Sequence, residues 1–345
     1  MQDFYSITPI FKQKNLQIVP VFIPFAGCKK RCIFCAQHYQ TGRASKDLDN
    51  VFSITQNMLE SAFQKKEKIF ELAFYGGTFT LLPDLYQEKL LALGHKYIKK
   101  GVVSSLRCST RPDAVTPEQL LQLKKFGVKT VELGVQSFND HALNLSGRGY
   151  SGQQAEDACR QVKQAGLDLV VQLMPGMPGV DAEIFRLDVN KSISLSPGAM
   201  RLYPCLVIDN TPLAKLWRRG EFAPWNAEET KKELGMALRD LWTAKIPVIR
   251  IGLAPEESLL PHILDGPWHP AMGNQIQAQA FYLWLKDKIK CLPGRLIGLN
   301  IPSRLQGAFW GHRGELKQAY EILGVTPKTT SYWKWPLIRL RALSK

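Results

Sequence analysis

The sequence predicts an α/β fold, a partial (β/α)6-type barrel with a small basic C-terminal accessory domain. Three observations lead there. Short apolar or β-branched runs alternate six times with longer amphipathic stretches, the pattern of parallel β/α units. The alternation stops near Ala254, where a Pro-, Gly- and His-containing stretch, APEESLLPHILDGPWHPAMGN, intervenes. Beyond it the charge balance shifts: residues 281–345 hold twelve Lys and Arg against three Asp and Glu, net +9, while the first 280 residues carry +6. The expected limits are therefore residues 16–253 for the barrel and 254–345 for the basic accessory region.

Strands are expected at residues 18–23, 72–75, 102–108, 130–135, 169–173, 200–203 and 248–251, with helices near 47–67, 84–100, 117–126, 152–165, 181–194 and 227–244. Helix starts are marked by Thr116 and Pro117 with Glu118, by Ser151 before Gly152, and by Asn226 before two glutamates. Gly101, Gly127 and Gly166 each fall between a helical pattern and a strand, where a left-handed cap is wanted. In such folds the chemistry gathers at the C-terminal ends of the strands.

Composition bounds the partners. With 45% apolar and 22% charged residues the 345-residue chain is an ordinary globular protein rather than a disordered or collagenous one. Its net charge of +15 favours polyanions, nucleic acid first and anionic lipid or acidic substrates after it. No run approaches about eighteen apolar residues, so no spanning helix and no membrane partner are expected. The start, MQDFYSITPIFKQKN, lacks the pattern of a secretory signal, so a cytoplasmic protein is expected. Seven cysteines, an odd count, fit reduced thiols.

The first strand runs into IPFAGCKKRCIFCAQ, which sets Cys28, Cys32 and Cys35 at C-x3-C-x2-C. Three thiolates in eight residues suit zinc or an iron-sulfur cluster. Zinc would need a fourth ligand, for which His38 is the nearby donor. A [4Fe-4S] cluster on three cysteines leaves one iron open to a ligand, and Phe34 offers backbone and an apolar face there. The second strand ends in FYGGTFTLLP, whose adjacent Gly76 and Gly77 before Thr78 permit unusual dihedrals and close approach to bare backbone.

A C-x3-C-x2-C motif followed by a Gly-Gly motif one β/α unit later resembles the radical S-adenosylmethionine enzymes. More narrowly, ELAFYGGTFTLLPDLYQ, STRPDAVTPEQLLQLKKFGVKTVELGVQSFND, RGYSGQQAEDACRQVKQAGLDLVVQLMPGMPGVD, RLYPCLVIDNTPLAKLW and VIRIGL are similar to the radical domain of the Elongator catalytic subunit. GVQSF with an Arg-Gly pair after it is also similar to oxygen-independent coproporphyrinogen oxidase. The resemblance implies a [4Fe-4S] cluster at Cys28, Cys32 and Cys35 whose open iron chelates S-adenosyl-L-methionine, cleaved by one electron to a 5'-deoxyadenosyl radical. It implies an external donor such as flavodoxin or ferredoxin.

Position by position, Gly76, Gly77 and Thr78 match the motif that receives the methionine amino group. Ser109 stands where relatives place a carboxylate or hydroxyl against ribose or methionine. Gln136 matches a glutamine suited to ribose or carboxylate, and Arg148 an arginine that pairs with the methionine carboxylate. Gln172 faces the barrel mouth on the same logic. Elongator's subunit has a wider first cysteine gap and a following acetyltransferase domain; this chain has the tight spacing and stops at Lys345, so acetyl transfer is not expected. The other thiols, Cys108, Cys159, Cys205 and Cys291, are expected to be buried, with Cys108 and Cys205 at strand ends as candidates for a hydrogen-atom donor or substrate contact.

The tail places Gly311, His312, Arg313 and Gly314, a GXXG loop, between two short amphipathic segments, within residues 296–330 or so. That order resembles a KH module, in which the loop clamps single-stranded nucleic acid. Tyr332, Trp333 and Trp335 beyond it are candidates for base stacking. The favoured substrate is accordingly RNA, in particular tRNA. Two alternatives stand beside it: the same radical chemistry on a small anionic metabolite such as a tetrapyrrole, and a non-enzymatic zinc-containing RNA-binding protein.

Overall fold

The computed structural model describes residues 2–7, 17–41 and 47–343. The expected limits at residues 16 and 345 fall outside them. The strands of the described residues are, in chain order, β1 (Gln2–Ile7), β2 (Ile18–Ile23), β3 (Phe70–Gly76), β4 (Val103–Thr110), β5 (Val128–Gln136), β6 (Asp168–Leu173), β7 (Ala199–Leu202), β8 (Val207–Ile208), β9 (Val248–Ile251), β10 (Ile263–Asp265), β11 (Leu296–Pro302), β12 (Thr330–Trp333) and β13 (Leu337–Ala342). The chain divides into two compact units, Gln13–Pro224 with Leu253–Gly266, and Met1–Lys12 with Trp225–Gly252 and Pro267–Lys345.

In the larger unit β2 to β7 pair in chain order, every neighbour parallel, with registers such as Phe22 opposite Tyr75, Ser109 opposite Glu132 and Gln172 opposite Arg201. Parallel pairing follows from the helical crossovers, Leu48–Gln64, Asp84–Lys99, Pro117–Lys125, Gly152–Gln164 and Ala182–Leu195. The sequence signals act as expected. Thr116 and Ser151 each accept from the backbone N–H three residues on and complete capping boxes with Gln119 and Gln154. Gly101, Gly127 and Gly166 all have positive φ.

Successive strand residues point to opposite faces, and the two faces differ sharply. Leu72 and Phe74, Leu106 and Cys108, Val131 and Leu133, and Val171 and Leu173 are buried with helix residues such as Leu59, Leu91, Leu123 and Val162. The close approach of Gly94 to the Leu106 side chain shows a helix seated on that face. The alternate set, Glu71, Tyr75, Arg107, Ser109, Glu132, Gln172 and Arg201, lines the inside of the curl. The result is a curled parallel half-barrel with a polar interior.

In the smaller unit the four strands run β1-β13-β11-β12, with β11 parallel to β12 and β13 antiparallel to both β11 and β1. Phe281, Trp284, Phe309 and Tyr320 form its aromatic core, alongside helices Ala227–Thr243 and Met272–Lys290. The expected strand at 248–251 forms as β9 and clusters with this unit. Among the described residues no helix is long and apolar enough to cross a membrane. Cys291 corrects one expectation: it caps the C-terminus of helix Met272–Lys290 and is exposed, since a helix end turning into a loop offers no core to enter.

Candidate functional site

The loop after β2 holds the three cysteines and is tied to the end of β3 by backbone hydrogen bonds. Gly77 N–H donates to Ile23 O (3.0 Å) and Thr78 N–H to Ala26 O (2.7 Å). Two amides that the Gly-Gly motif was expected to leave bare therefore clamp the cysteine loop onto the end of β3. The glycines permit this approach: a Cβ on Gly77 would lie 1.8 Å from Ala26 O, and one on Gly27 2.2 Å from Thr78 O. Gly76, at φ +98°, sits over Ile23 in the same way. Beside the clamp is a small cleft of about 160 Å³, lined in part by Tyr75, Gly76, Gly77, Thr78 and Ser109.

Each thiol has a different neighbour. Cys28 Sγ lies 3.2 Å from Thr78 Oγ1. Cys32 is buried and accepts from Arg148 Nη1 at 3.0 Å, with Arg111 Nη1 at 3.8 Å. Burial, with Cys32 and Cys28 beside it, pushes the Cys35 thiol up to about 12. Phe34, just before Cys35, is buried. Three thiols with two guanidiniums beside one of them suit an electron-rich centre that carries net negative charge, because cations at the sulfur offset it. His38 is instead engaged in ring contacts, 3.9 Å from Tyr39 and 5.8 Å from Phe25. Among the described residues no group of three His, Cys, Asp or Glu side chains is gathered as a lone metal ion needs.

Arg148 is almost wholly buried and every branch of its guanidinium is engaged. Nε donates to Tyr150 Oη (2.8 Å), Nη1 to Cys32 and Nη2 to Gly134 O. Tyr150 Oη in turn donates to the carbonyls of Gly134 and Val135, both at 2.9 Å. Gln136 ends β5 at an irregularity in the register, with φ +68°, a conformation that costs a non-glycine residue energy and recurs at functional sites. The turn aims its side chain at Gln172, whose Nε2 donates to Gln136 Oε1 at 3.3 Å. The structure thus brings Gly76, Gly77, Thr78 and Ser109 to one cleft, Gln136 to Gln172, and Arg148 to the cysteine loop.

Cys108 and Cys205 lie elsewhere. Cys108 belongs to the outer, helix-facing set of β4 and has no exposed surface, and Cys205 is buried after β7; burial pushes both thiols up to about 12. Cys159 is likewise buried.

Below the mouth lies a charged network that the strand-by-strand reading missed. Arg107 donates to Glu71 Oε2 through Nε (3.1 Å) and Nη2 (2.8 Å), and to Glu132 Oε1 through Nη1 (2.7 Å). Arg201 pairs with Glu132 Oε2 at 2.7 Å and donates to Tyr75 Oη (2.7 Å) and Tyr203 Oη (3.0 Å). Tyr75 Oη donates a hydrogen bond to Glu132 Oε1 (2.8 Å), and burial and that carboxylate hold its phenol well above the usual range. The signal was present in part: Glu71 in β3, Arg107 in β4, Glu132 in β5 and Arg201 in β7 each stand at an alternate position that faces the same side of the sheet.

In the smaller unit Gly311, Arg313 and Gly314 all have positive φ, and His312 and Arg313 are exposed. The loop joins the short helices Gln306–Phe309 and Lys317–Ile322. Its first amide is not free: His312 N–H donates to Glu315 Oε1 at 3.1 Å, and Lys231 stands 3.5 Å from the same carboxylate. Trp333 Nε1 donates to Leu337 O, whereas Trp335 is exposed.

Comparison with known proteins gives the family. The profile of the radical SAM superfamily matches residues 22–189, and that of the radical SAM C-terminal domain residues 197–280. A tRNA uridine(34) acetyltransferase of Methanocaldococcus jannaschii is 32% identical over 79% of this chain and 53% of its own length. Elongator complex protein 3 of Mus musculus is 27% identical over 58% of this chain and 41% of its own length. The chain spans about half the length of the curated relatives it matches. Among solved structures, the archaeal Elp3 of Methanocaldococcus infernus superposes with a TM-score of 0.59 at 22% identity, covering 90% of this chain and 69% of that one. With the cysteine loop clamped on the Gly-Gly strand end at the mouth of a parallel half-barrel, the chain is a radical SAM superfamily enzyme, similar to the radical domain of Elongator complex protein 3.

Proposed function

We propose that Cys28, Cys32 and Cys35 hold a [4Fe-4S] cluster and that the adjoining cleft takes the methionine end of S-adenosyl-L-methionine. Members of the superfamily bind both. Bound there, the pair would supply one-electron cleavage to a 5'-deoxyadenosyl radical, which takes a hydrogen atom from the substrate. The observation that carries this reading is the contact of Arg148 with Cys32 inside a loop clamped by Gly77 and Thr78. It favours a polynuclear centre over zinc, since the Arg148 and Arg111 guanidiniums at Cys32 offset the negative charge of an electron-rich cluster on three thiolates.

The chain's own residues set up the chemistry. Arg148 and Arg111 offset charge at Cys32, Thr78 fixes Cys28, and the carbonyls of the Gly-Gly turn accept from an ammonium. Ser109, Gln136 and Gln172 offer hydroxyl and amide groups to a ribose or carboxylate above the network. An external donor such as flavodoxin or ferredoxin supplies the electron. The substrate is RNA, tRNA above all, in keeping with the tRNA-acting name of the relative and the basic tail. The GXXG loop, Gly311, His312, Arg313 and Gly314, makes the second contact. The neutral network inside the barrel, two arginines against two glutamates, gives an anionic metabolite no unpaired cation to seek.

Anaerobic reconstitution tests this. The protein should take up about four irons, with broad absorption near roughly 400 nm, and release 5'-deoxyadenosine on reduction with S-adenosyl-L-methionine. Colourless protein with one zinc would overturn it.

A further inference from the structure

The bend between the first two cysteines is built of cations. Lys29, Lys30 and Arg31 fill the three positions from Cys28 to Cys32, and all three are exposed, while Cys28 itself is half-buried. Other cations around this loop are matched, Arg111 by Asp113 (2.8 Å) and Arg218 by Asp209 (2.6 Å). Among the described residues no acid pairs with Lys29, Lys30 or Arg31. Like charges this close repel one another, so an anionic surface laid over the bend is favoured.

The bend is held at both ends. Cys28 N–H donates to Phe25 O (3.2 Å) before it, Ile33 N–H donates to Ser146 O (3.3 Å) after it, and Ile33 O accepts from Leu213 N–H at 2.9 Å. Phe25, at φ +57°, donates its own N–H to Gln37 Oε1 at 2.6 Å. The Arg31 guanidinium lies 4.1 Å from the centre of the buried Phe25 ring. A cation fixed over an aromatic face loses less freedom when a partner arrives than one on a free stem.

Position narrows what that partner is. None of the three cations lines the cleft of Gly76, Gly77, Thr78 and Ser109, where the proposed cofactor stands between the cysteines and any substrate. A substrate reaches the cofactor, whereas an electron has to reach the cysteines themselves, and the bend from Cys28 to Cys32 is the exposed stretch that joins two of them. We infer that Lys29, Lys30 and Arg31 are the docking surface for the external electron donor, a carrier protein with an acidic rim around its redox group. The carrier gives up one electron and is itself oxidised by one, and no bond is made or broken at the loop. Contact through a few rim charges suits a brief encounter, steered by charge and quick to release. This rests on the proposed cluster.

The test uses cluster-reconstituted protein with S-adenosyl-L-methionine and two reductants, an acidic flavodoxin kept reduced by its reductase and saturating dithionite. With flavodoxin, release of 5'-deoxyadenosine by the wild type should slow on the order of tenfold as ionic strength rises from about 0.01 M to about 0.1 M. In the double variant Lys29→Gln, Lys30→Gln the low-salt rate with flavodoxin should fall on the order of tenfold and lose most of its salt dependence. With dithionite the variant should stay within about twofold of the wild type, iron content unchanged. A flavodoxin rate that survives the double substitution, or a wild-type rate indifferent to salt, overturns the inference. So does a loss of tRNA affinity in the variant at an unchanged flavodoxin rate, which would make the bend an RNA contact. Should the variant not hold iron, the wild-type salt series still decides. If dithionite releases no 5'-deoxyadenosine from the wild type, the radical reading fails; flavodoxin binding, titrated by calorimetry over the same salts, then judges the docking surface separately.

Discussion

Gly77 has no room for a side chain, and the reason is backbone, not neighbouring side chains that could move aside. Its virtual Cβ meets Ala26 O at 1.8 Å in the turn that carries Cys28. Gly77→Ala should therefore push the cysteine loop off the end of β3, lowering stability by about 3 kcal/mol or more, and iron uptake should drop with it. Normal iron content and an unchanged denaturation midpoint would remove the clamp from the account. The glycine pair was visible in the sequence, but its partner was not. Sequence reading gave it to a ligand, whereas the fold spends its amides on the neighbouring loop and leaves its carbonyls. Arg148 shows the same division. Its type and place suggested carboxylate pairing, yet only the folded chain brings it to Cys32, 116 residues away.

At the scale of elements, helix Ala182–Leu195 anchors the exit of β5. Asp188 Oδ1 accepts from Phe138 N–H at 2.8 Å, just past the strained Gln136. The side chain is buried, and burial raises its pKa from 3.8 to about 6. The folded state thus binds this proton more tightly than the unfolded one, so stability is fully present below about pH 4 and declines as pH rises to about 6. The loss is about 3 kcal/mol. Asp188→Asn keeps the acceptor for Phe138 and should flatten that decline, measured by urea unfolding between pH 4 and 7. An undiminished slope in the variant would assign it to another group. Helix boundaries came close to the expected ones because caps such as Thr116 and Ser151 act within four residues. The short helices Asp140–Leu145 and Pro212–Arg218 escaped notice, being too brief to show a period.

For the whole molecule the question is what the excess charge serves. The proposed RNA contact lies in the unit that carries the GXXG loop and the net +9 of residues 281–345. Glu315 already occupies the His312 amide that a phosphate would use. Arg313→Glu should weaken tRNA binding on the order of tenfold at low salt and reduce the salt slope by about one. Glu315→Gln should strengthen it several-fold. Binding isotherms across a salt series check both, and equal affinities in all three proteins would move the RNA contact away from this loop.

Element order, helix ends and the C-x3-C-x2-C and Gly-Gly motifs were determined by the sequence itself, because caps, periodicity and thiol spacing act between residues close along the chain. Tertiary structure alone decided which groups meet. The curl of the sheet set Glu71, Arg107, Glu132 and Arg201 into one network, folding brought Arg148 to Cys32, and β1 joined β13 across nearly the whole chain. Such pairs depend on strand register and sheet curvature, quantities fixed by the packing of the entire domain and written in no single segment of it.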